Sequence, residues 1–160
     1  MAVIVTGDEA LVAKFRAADA ALRASERDWL GEAGLIVEKA IEANIAAQGL
    51  IGHGDDPHPG QLIGSGRVFN ATAHGITVGF GKDVEYAAAL EFGAEPHPID
   101  AVNVENLKFY WEKAGVQFYG PHVNHPGNRP YKFVRNGAEE SMPALMQMFG
   151  MRLMAIFGGP

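Results

Sequence analysis

Three short segments are the most informative part of this chain: Tyr86-Ala-Ala-Ala-Leu-Glu-Phe-Gly93, Leu107-Lys-Phe-Tyr-Trp111 and Asn124-His-Pro-Gly-Asn-Arg-Pro130. In the first segment, apolar residues recur at three- and four-residue spacing, so we expect a helix of about three turns that Asp83 caps. Gly93 should end this helix, because glycine adopts a positive φ at low cost.

The second segment alternates apolar and polar side chains from residue 107 to residue 112, which is the pattern of a half-buried strand. We expect its partner strand at residues 116–122, with Gly115 at positive φ in a bulged turn. Pro96 and Pro98 predict an extended connector that leads into this hairpin. The third segment holds two prolines and a glycine, so we expect an ordered loop there and neither strand nor helix.

The N-terminal part of the chain predicts a long helix. Thr6 and Glu9 form a capping box, so the helix should begin at Gly7. Gly31 and Gly34 divide the apolar pattern, which predicts either one kinked helix or two consecutive helices. One apolar stripe precedes these glycines and another follows them: Leu11, Phe15, Ala18, Leu22 and Trp29, then Ile36, Val37, Ile41 and Ile45.

Residues 50–66 are rich in Gly, Pro and Asp, so we expect a long surface loop that contributes nothing to a core. A second hairpin follows at residues 68–73 and 76–80, with Ile76, Val78 and Phe80 on its inward face. The order helix, hairpin, short helix, hairpin, helix predicts an α+β fold with a mainly antiparallel sheet.

The predicted C-terminal helix has the most unusual composition of the predicted elements. Asn136 and Glu139 form a second capping-box pair, and the chain is apolar nearly all round from Ser141 to Phe157. Its span is too short and too interrupted for a membrane anchor. Two interpretations stay open, a terminal helix wrapped by its own fold and a helix that contacts another subunit.

Composition narrows the class of protein. The chain has 160 residues, 48% of them hydrophobic, which predicts a single domain with extended loops at residues 50–66 and 122–130. The net charge of -6 argues against a nucleic-acid-binding surface. With no cysteine, neither a disulfide framework nor a thiolate zinc site is possible. The first residues lack the basic leader of a secretory signal, so export is not expected.

Six histidines raise the alternative of a small metal-dependent hydrolase. One cluster is His53 with Asp55 and His58, and the other is His122 with His125. A catalytic zinc or iron site needs three convergent ligands on rigid elements, and neither cluster lies on a predicted helix at ligand spacing. Histidines in solvated loops explain both clusters more simply, so we expect no metal and no cofactor.

Three motifs in this order resemble the head-tail joining family of tailed bacteriophages, the neck, tail-component or tail-completion proteins. They are Glu91-Phe-Gly93, the Pro98 connector with Asn106-Leu-Lys-Phe109, and His125-Pro-Gly127 followed by Arg129-Pro-Tyr131. The resemblance covers most of the chain, although the loop at residues 50–66 is longer than the family's brief linker.

The resemblance implies a structural virion protein without catalytic activity or cofactor, assembled in the host cytoplasm. It would form a ring of copies, a hexamer or a dodecamer, at the neck of the virion. Its neighbours would be the connector or head-closure protein and the tail-tube or tail-terminator protein, and DNA would only pass through the lumen. An acidic surface would let that DNA slide, because like charge repels phosphate.

The predicted partner contacts come from the motifs and from the apolar C-terminal helix, since ring subunits need apolar or loop-mediated patches that close head to tail. These residues are Glu91, Phe92, Gly93, His125, Pro126, Gly127, Arg129, Pro130, Met146, Phe149 and Leu153. A toxin-like or decoration protein of the same genomic neighbourhood is a further alternative.

Overall fold

The computed structural model describes residues 7–50, 60–69, 72, 75–111 and 115–158. Four helices are α1 (Asp8–Ala47), α2 (Gln61–Gly64), α3 (Ala87–Phe92) and α4 (Phe133–Phe157). Six strands are β1 (Gly66–Phe69), β2 (Thr77–Phe80), β3 (His97–Asp100), β4 (Leu107–Trp111), β5 (Val116–Gly120) and β6 (His122–His125). The predicted α+β fold is confirmed, with its long N-terminal helix, strand hairpins, short middle helix and C-terminal helix.

All strands pair antiparallel, in three two-stranded sheets. β1 pairs with β2 and β4 with β5, which are the two predicted hairpins. The third pair, β3 with β6, was not predicted, and its register joins His97 to His125 and Asp100 to His122. The prediction that residues 124–130 hold no strand is therefore wrong for Asn124 and His125. Pro98 is tolerated in β3 because both strands of a two-stranded sheet are edges.

The core lies where the C-terminal end of α1 meets the start of α4. Ile45 and Phe133 are fully buried there, and Phe80 of β2 meets Phe133 edge to face at 5.5 Å between ring centroids. Val78 also packs against this core, so the predicted inward face of the β1–β2 hairpin is confirmed for Val78 and Phe80. The remaining buried members of the cluster are Ile41, Leu62, Val84 and Ala87.

α1 is one continuous helix of 40 residues, which excludes two consecutive helices. It begins at Asp8, one residue later than predicted, and Gly7 occupies the N-cap position at φ 106°. Thr6, half of the predicted capping box, lies outside the described residues. α4 runs antiparallel to α1, because Gly137 contacts Ile41 while Phe149 contacts Trp29.

Three further predictions of local structure are wrong. Leu62 is only 3% exposed, so residues 50–66 do contribute to the core, through Leu62 and Ile63 of the short α2 and through Leu50. Residues 51–59 of that predicted loop lie outside the described part of the chain. The helix before Gly93 is shorter than three turns, since a 3-10 turn at Lys82–Val84 precedes the six residues of α3, and Asp83 makes no side-chain cap bond.

The start of α4 also differs from the prediction. The helix begins at Phe133, so Asn136 and Glu139 lie inside it and form no capping box. Asn136 instead donates its backbone N–H to the carbonyl of Lys132, at 2.8 Å, as an ordinary helical residue. The chain ahead of the helix turns at Lys132, whose φ is 56°.

Candidate interaction surfaces

The first and third motifs of the sequence meet in space. Ala94 and Asn128 exchange both backbone hydrogen bonds, at 3.0 and 2.9 Å, so the chain after Gly93 lies directly against the loop that follows His125. We call residues 91–94 and 125–130 together the junction. Most of the predicted contact residues therefore belong to one surface, although they are more than thirty positions apart in the chain.

Glycine is required on both sides of the junction. Gly127 has φ 77°, and a Cβ built there would lie 2.2 Å from the carbonyl oxygen of Ala94. Gly93 has φ 84°, and its Cβ would lie 3.0 Å from the carbonyl oxygen of Asn128 and from Pro130. Any side chain at these two positions would separate the motifs, because the backbones are already in contact.

Glu91 holds the junction to the start of α4. Its side chain is 7% exposed, and its two carboxylate oxygens accept hydrogen bonds from the backbone N–H groups of Val134 and Arg135, at 2.8 and 3.2 Å. Those N–H groups belong to the first turn of α4. The N–H groups of a first turn have no acceptors within the helix, and this end carries the positive end of the helix dipole. The carboxylate is thus engaged within the fold as the cap of α4.

The outer side of the junction offers apolar and cationic groups to solvent. Phe92 is 74% exposed beside the buried Glu91. The guanidinium of Arg129 lies over the ring of Tyr131, 5.6 Å from its centroid. A shallow depression of about 450 Å³ runs between the two motifs, lined by Ala94, Pro126, Gly127, Asn128, Arg129 and Tyr131.

The histidines near the junction bond to their neighbours. Nδ1 of His122 lies 2.6 Å from Oδ1 of Asp100, and this hydrogen bond raises the pKa of His122 above its usual 6.5. The rings of His97 and His125 lie 5.0 Å apart, and Nδ1 of His125 accepts the backbone N–H of Gly127. Within the described residues, no group of three or more His, Cys, Asp or Glu side chains is placed to hold a metal ion. His53, Asp55 and His58 lie outside that part of the chain.

α4 presents two different faces. Its inner face packs on α1, with Phe149 edge to face on Trp29 at 6.4 Å and Arg152 bonded to Glu32. A row of exposed apolar side chains flanks this inner face, at three- and four-residue spacings that also include Phe149. This outer stripe consists of Met142, Met146, Leu153 and Phe157, all of them exposed. Of the three predicted contacts on α4, Met146 is exposed, Leu153 borders a groove that Trp29 of α1 also lines, and Phe149 packs on Trp29.

α1 extends beyond the end of α4. From the pairing of Phe149 with Trp29, the last residue of α4 falls beside roughly residue 21 of α1. Residues 8–17, which we call the arm, lie past that point. Phe15 is 59% exposed on the arm, whereas Trp29 is 7% exposed two turns inside the helix pair. The sequence predicted the apolar stripe of α1 but gave no sign that part of it lies uncovered.

The β4–β5 hairpin is a fourth exposed surface. Phe109 and Phe118 stack across its two strands, with 5.0 Å between their ring centroids. Tyr119 on the hairpin and Val102 and Val104 on its approach are exposed. A two-stranded hairpin has little stability of its own in water.

No family model, no curated protein and no solved structure matches this chain. Among the described residues, no helix has both the length and the apolar character that crossing a membrane would require.

Proposed function

We propose that this chain is a structural virion protein of a tailed phage, and that copies of it form a ring at the neck between head and tail. The proposal starts from the resemblance of three sequence motifs to the head-tail joining family. It gains support from the junction, because the first and third motifs meet there and hold the start of α4 in place.

The exposed surface of the described residues is the observation that carries the proposal. Large apolar side chains occupy much of this surface, on the arm, the outer stripe, the junction and the hairpin. Exposed apolar surface of this extent is typical of proteins that bury it against other subunits.

Several separate apolar surfaces fit a ring better than a simple dimer. A twofold dimer needs one self-complementary patch, while a ring subunit needs two different patches that bind each other head to tail. A neck subunit also contacts the layers above and below it, which would be the connector or head-closure protein and the tail-tube or tail-terminator protein. The net charge of -6 suits a lumen through which DNA passes without binding.

The function is tested in the virus whose genome encodes the chain. If production of the protein is blocked, we expect lysates that contain DNA-filled heads and separate tails, and complementation should restore joined particles. Normal infectious particles that lack the protein would contradict the proposal. So would stoichiometric zinc or iron in the purified protein together with hydrolytic activity, which is the outcome that a metal-dependent hydrolase requires.

A further inference from the structure

The sheet of β3 and β6, which we call the ribbon, brings two imidazole rings together beside the junction. His97 and His125 are partners in its register, and their ring centroids lie 5.0 Å apart. Side chains alternate between the two faces of a strand, so His125 shares a face with Val123, which is only 7% exposed. His125 is half-buried and His97 is exposed. Of the two rings, His125 is therefore the one that lies against the rest of the fold.

The hydrogen bonds of the two rings determine where their protons are. A backbone carbonyl only accepts, so Nδ1 of His97, which lies 2.8 Å from the carbonyl oxygen of Glu95, carries a proton. A backbone N–H only donates, so Nδ1 of His125, which accepts the N–H of Gly127 at 3.1 Å, carries none. The fold therefore holds His125 in its neutral form, with the proton on Nε2. His97 keeps its bond whether it is neutral or charged.

The bond to His125 closes the turn that leads into the junction. A side chain that accepts the N–H two residues further on is the arrangement of an Asx turn, here made by an imidazole. Gly127 stands at the end of this turn, where a Cβ would lie 2.2 Å from the carbonyl oxygen of Ala94. The next residue, Asn128, exchanges both backbone hydrogen bonds with Ala94. The imidazole of His125 therefore holds the backbone that makes the closest contact across the junction.

Acid acts on this turn in two ways. A proton on Nδ1 of His125 removes the acceptor and turns an N–H towards the N–H of Gly127. A proton on Nε2 of His97 then places like charges on two rings whose centroids are 5.0 Å apart. Both effects weaken the turn, while the backbone bonds between Ala94 and Asn128 remain available to hold the junction in part.

No nearby carboxylate offsets these effects. Within the described residues, no carboxylate bonds to the ring of His97 or of His125. The other titratable groups around the ribbon and the junction have partners elsewhere or face water: Asp100 and His122 on the opposite face of the ribbon, Glu91 at the start of α4, Arg129 over Tyr131, and the exposed Glu95.

We propose that His125 is a pH-sensitive switch of the junction: while neutral it closes the turn at residues 125–127, and its protonation at Nδ1 loosens the contact between residues 92–94 and 126–128. The stabilisation is present above the pH range in which histidine titrates and is lost as the pH falls through it. His122 at the other end of the ribbon has the opposite sign, because its bond to Asp100 strengthens when the imidazole is charged. This inference does not depend on the proposed ring.

Amide hydrogen exchange of the purified protein at about pH 8 and about pH 5 tests the switch, with labelling times adjusted for the intrinsic exchange rate. At the lower pH we expect the amides of Ala94, Gly127 and Asn128 to lose protection by roughly twofold to tenfold, the equivalent of one net hydrogen bond. The buried stretch of α1 at residues 36–46 is the internal reference and should keep its protection.

His125→Asn is the matched variant. The Oδ1 atom of asparagine accepts the N–H two residues further on and does not titrate, so this variant should show the same protection of the junction at both pH values. His122→Asn removes the other titrating side chain of the ribbon that has a bonded partner, and it should lose protection at residues 126–128 as the wild type does.

Four results would overturn the inference. The first is equal protection of residues 126–128 at both pH values in the wild type, and the second is a loss that is just as large at residues 36–46. The third is an undiminished loss in His125→Asn, and the fourth is a loss that disappears in His122→Asn, which would assign the switch to His122. If His125→Asn does not fold, the wild type and His122→Asn decide the question.

Discussion

Glu91 illustrates how a residue's role depends on its partners. The sequence placed it among the partner contacts because it belongs to the Glu91-Phe-Gly93 motif. The structure engages its carboxylate with N–H groups that lie 43 and 44 positions away. Sequence spacing reveals caps only when the cap and the helix are neighbours in the chain, so this one was not predictable.

Replacing Glu91 should weaken the whole fold. Glu91→Ala leaves the N–H groups of Val134 and Arg135 without their carboxylate acceptor, which costs about 0.5–2 kcal/mol of unfolding free energy. In a chain of this size we expect a fall in melting temperature of several degrees. Denaturant unfolding measures the change, with Glu95→Ala as the control because Glu95 is exposed. Equal stability of the two variants would contradict the capping role.

His122 should titrate above its usual range. Its imidazolium donates to Asp100, so the folded protein binds the proton more tightly than the unfolded chain, whose histidine has a pKa of 6.5. The stabilisation is present below pH 6.5 and is lost as the pH rises through the raised pKa. NMR titration should show a midpoint above 6.5 that returns towards 6.5 in Asp100→Asn. An unchanged midpoint in that variant would rule out the hydrogen bond as the cause.

At the scale of elements, α1 and α4 approach each other most closely at a glycine. A Cβ at Gly137 would lie 2.7 Å from Cα and N of Ile41, so the helices must separate to admit it. Gly137→Ala should therefore destabilise the protein by about 1–3 kcal/mol. Gly150→Ala is the matched control on the same helix, because nothing lies within 4 Å of its Cβ, and better helix propensity should stabilise it by up to about 1 kcal/mol.

The outcome is read from urea unfolding midpoints of the two alanine variants. A lower midpoint for Gly137→Ala and a higher midpoint for Gly150→Ala would agree with close helix packing at residue 137 alone. Equal and favourable shifts would mean that the helices stand further apart than the structure places them.

Elements with a clear local period were predictable, and elements defined by distant partners were not. The hydrophobic period predicted α1, and alternation predicted β2 and β4, because these patterns depend on one face meeting a core. β6 was missed because its only described neighbour, β3, lies 22 positions or more upstream and both segments contain or adjoin proline. α2 was missed because two apolar residues among glycines carry too little periodicity.

At the scale of the whole molecule, two helices extend from a small core. Ile45 and Phe133 mark the core, and the Trp29–Phe149 contact marks the helical extension, which ends in the uncovered arm. The sequence predicted the apolar residues of these surfaces individually, as Met146 and Leu153 illustrate. It could not predict which of them stay exposed, because exposure depends on where α4 ends relative to α1.

The exposed apolar surfaces are therefore those expected of a subunit in an assembly. Burial of exposed apolar surface against another molecule is favourable, by about 25 cal/mol for each Å² removed from water. We therefore expect copies of the chain to bury this surface against one another in a closed ring.

Electron microscopy of the purified protein, with sedimentation velocity over a range of concentrations, tests that claim most directly. We predict closed rings of one copy number, with a mass that is a fixed multiple of 17.1 kDa. A particle that sediments as a single 17.1 kDa chain at every concentration, with no rings in the images, would contradict the account.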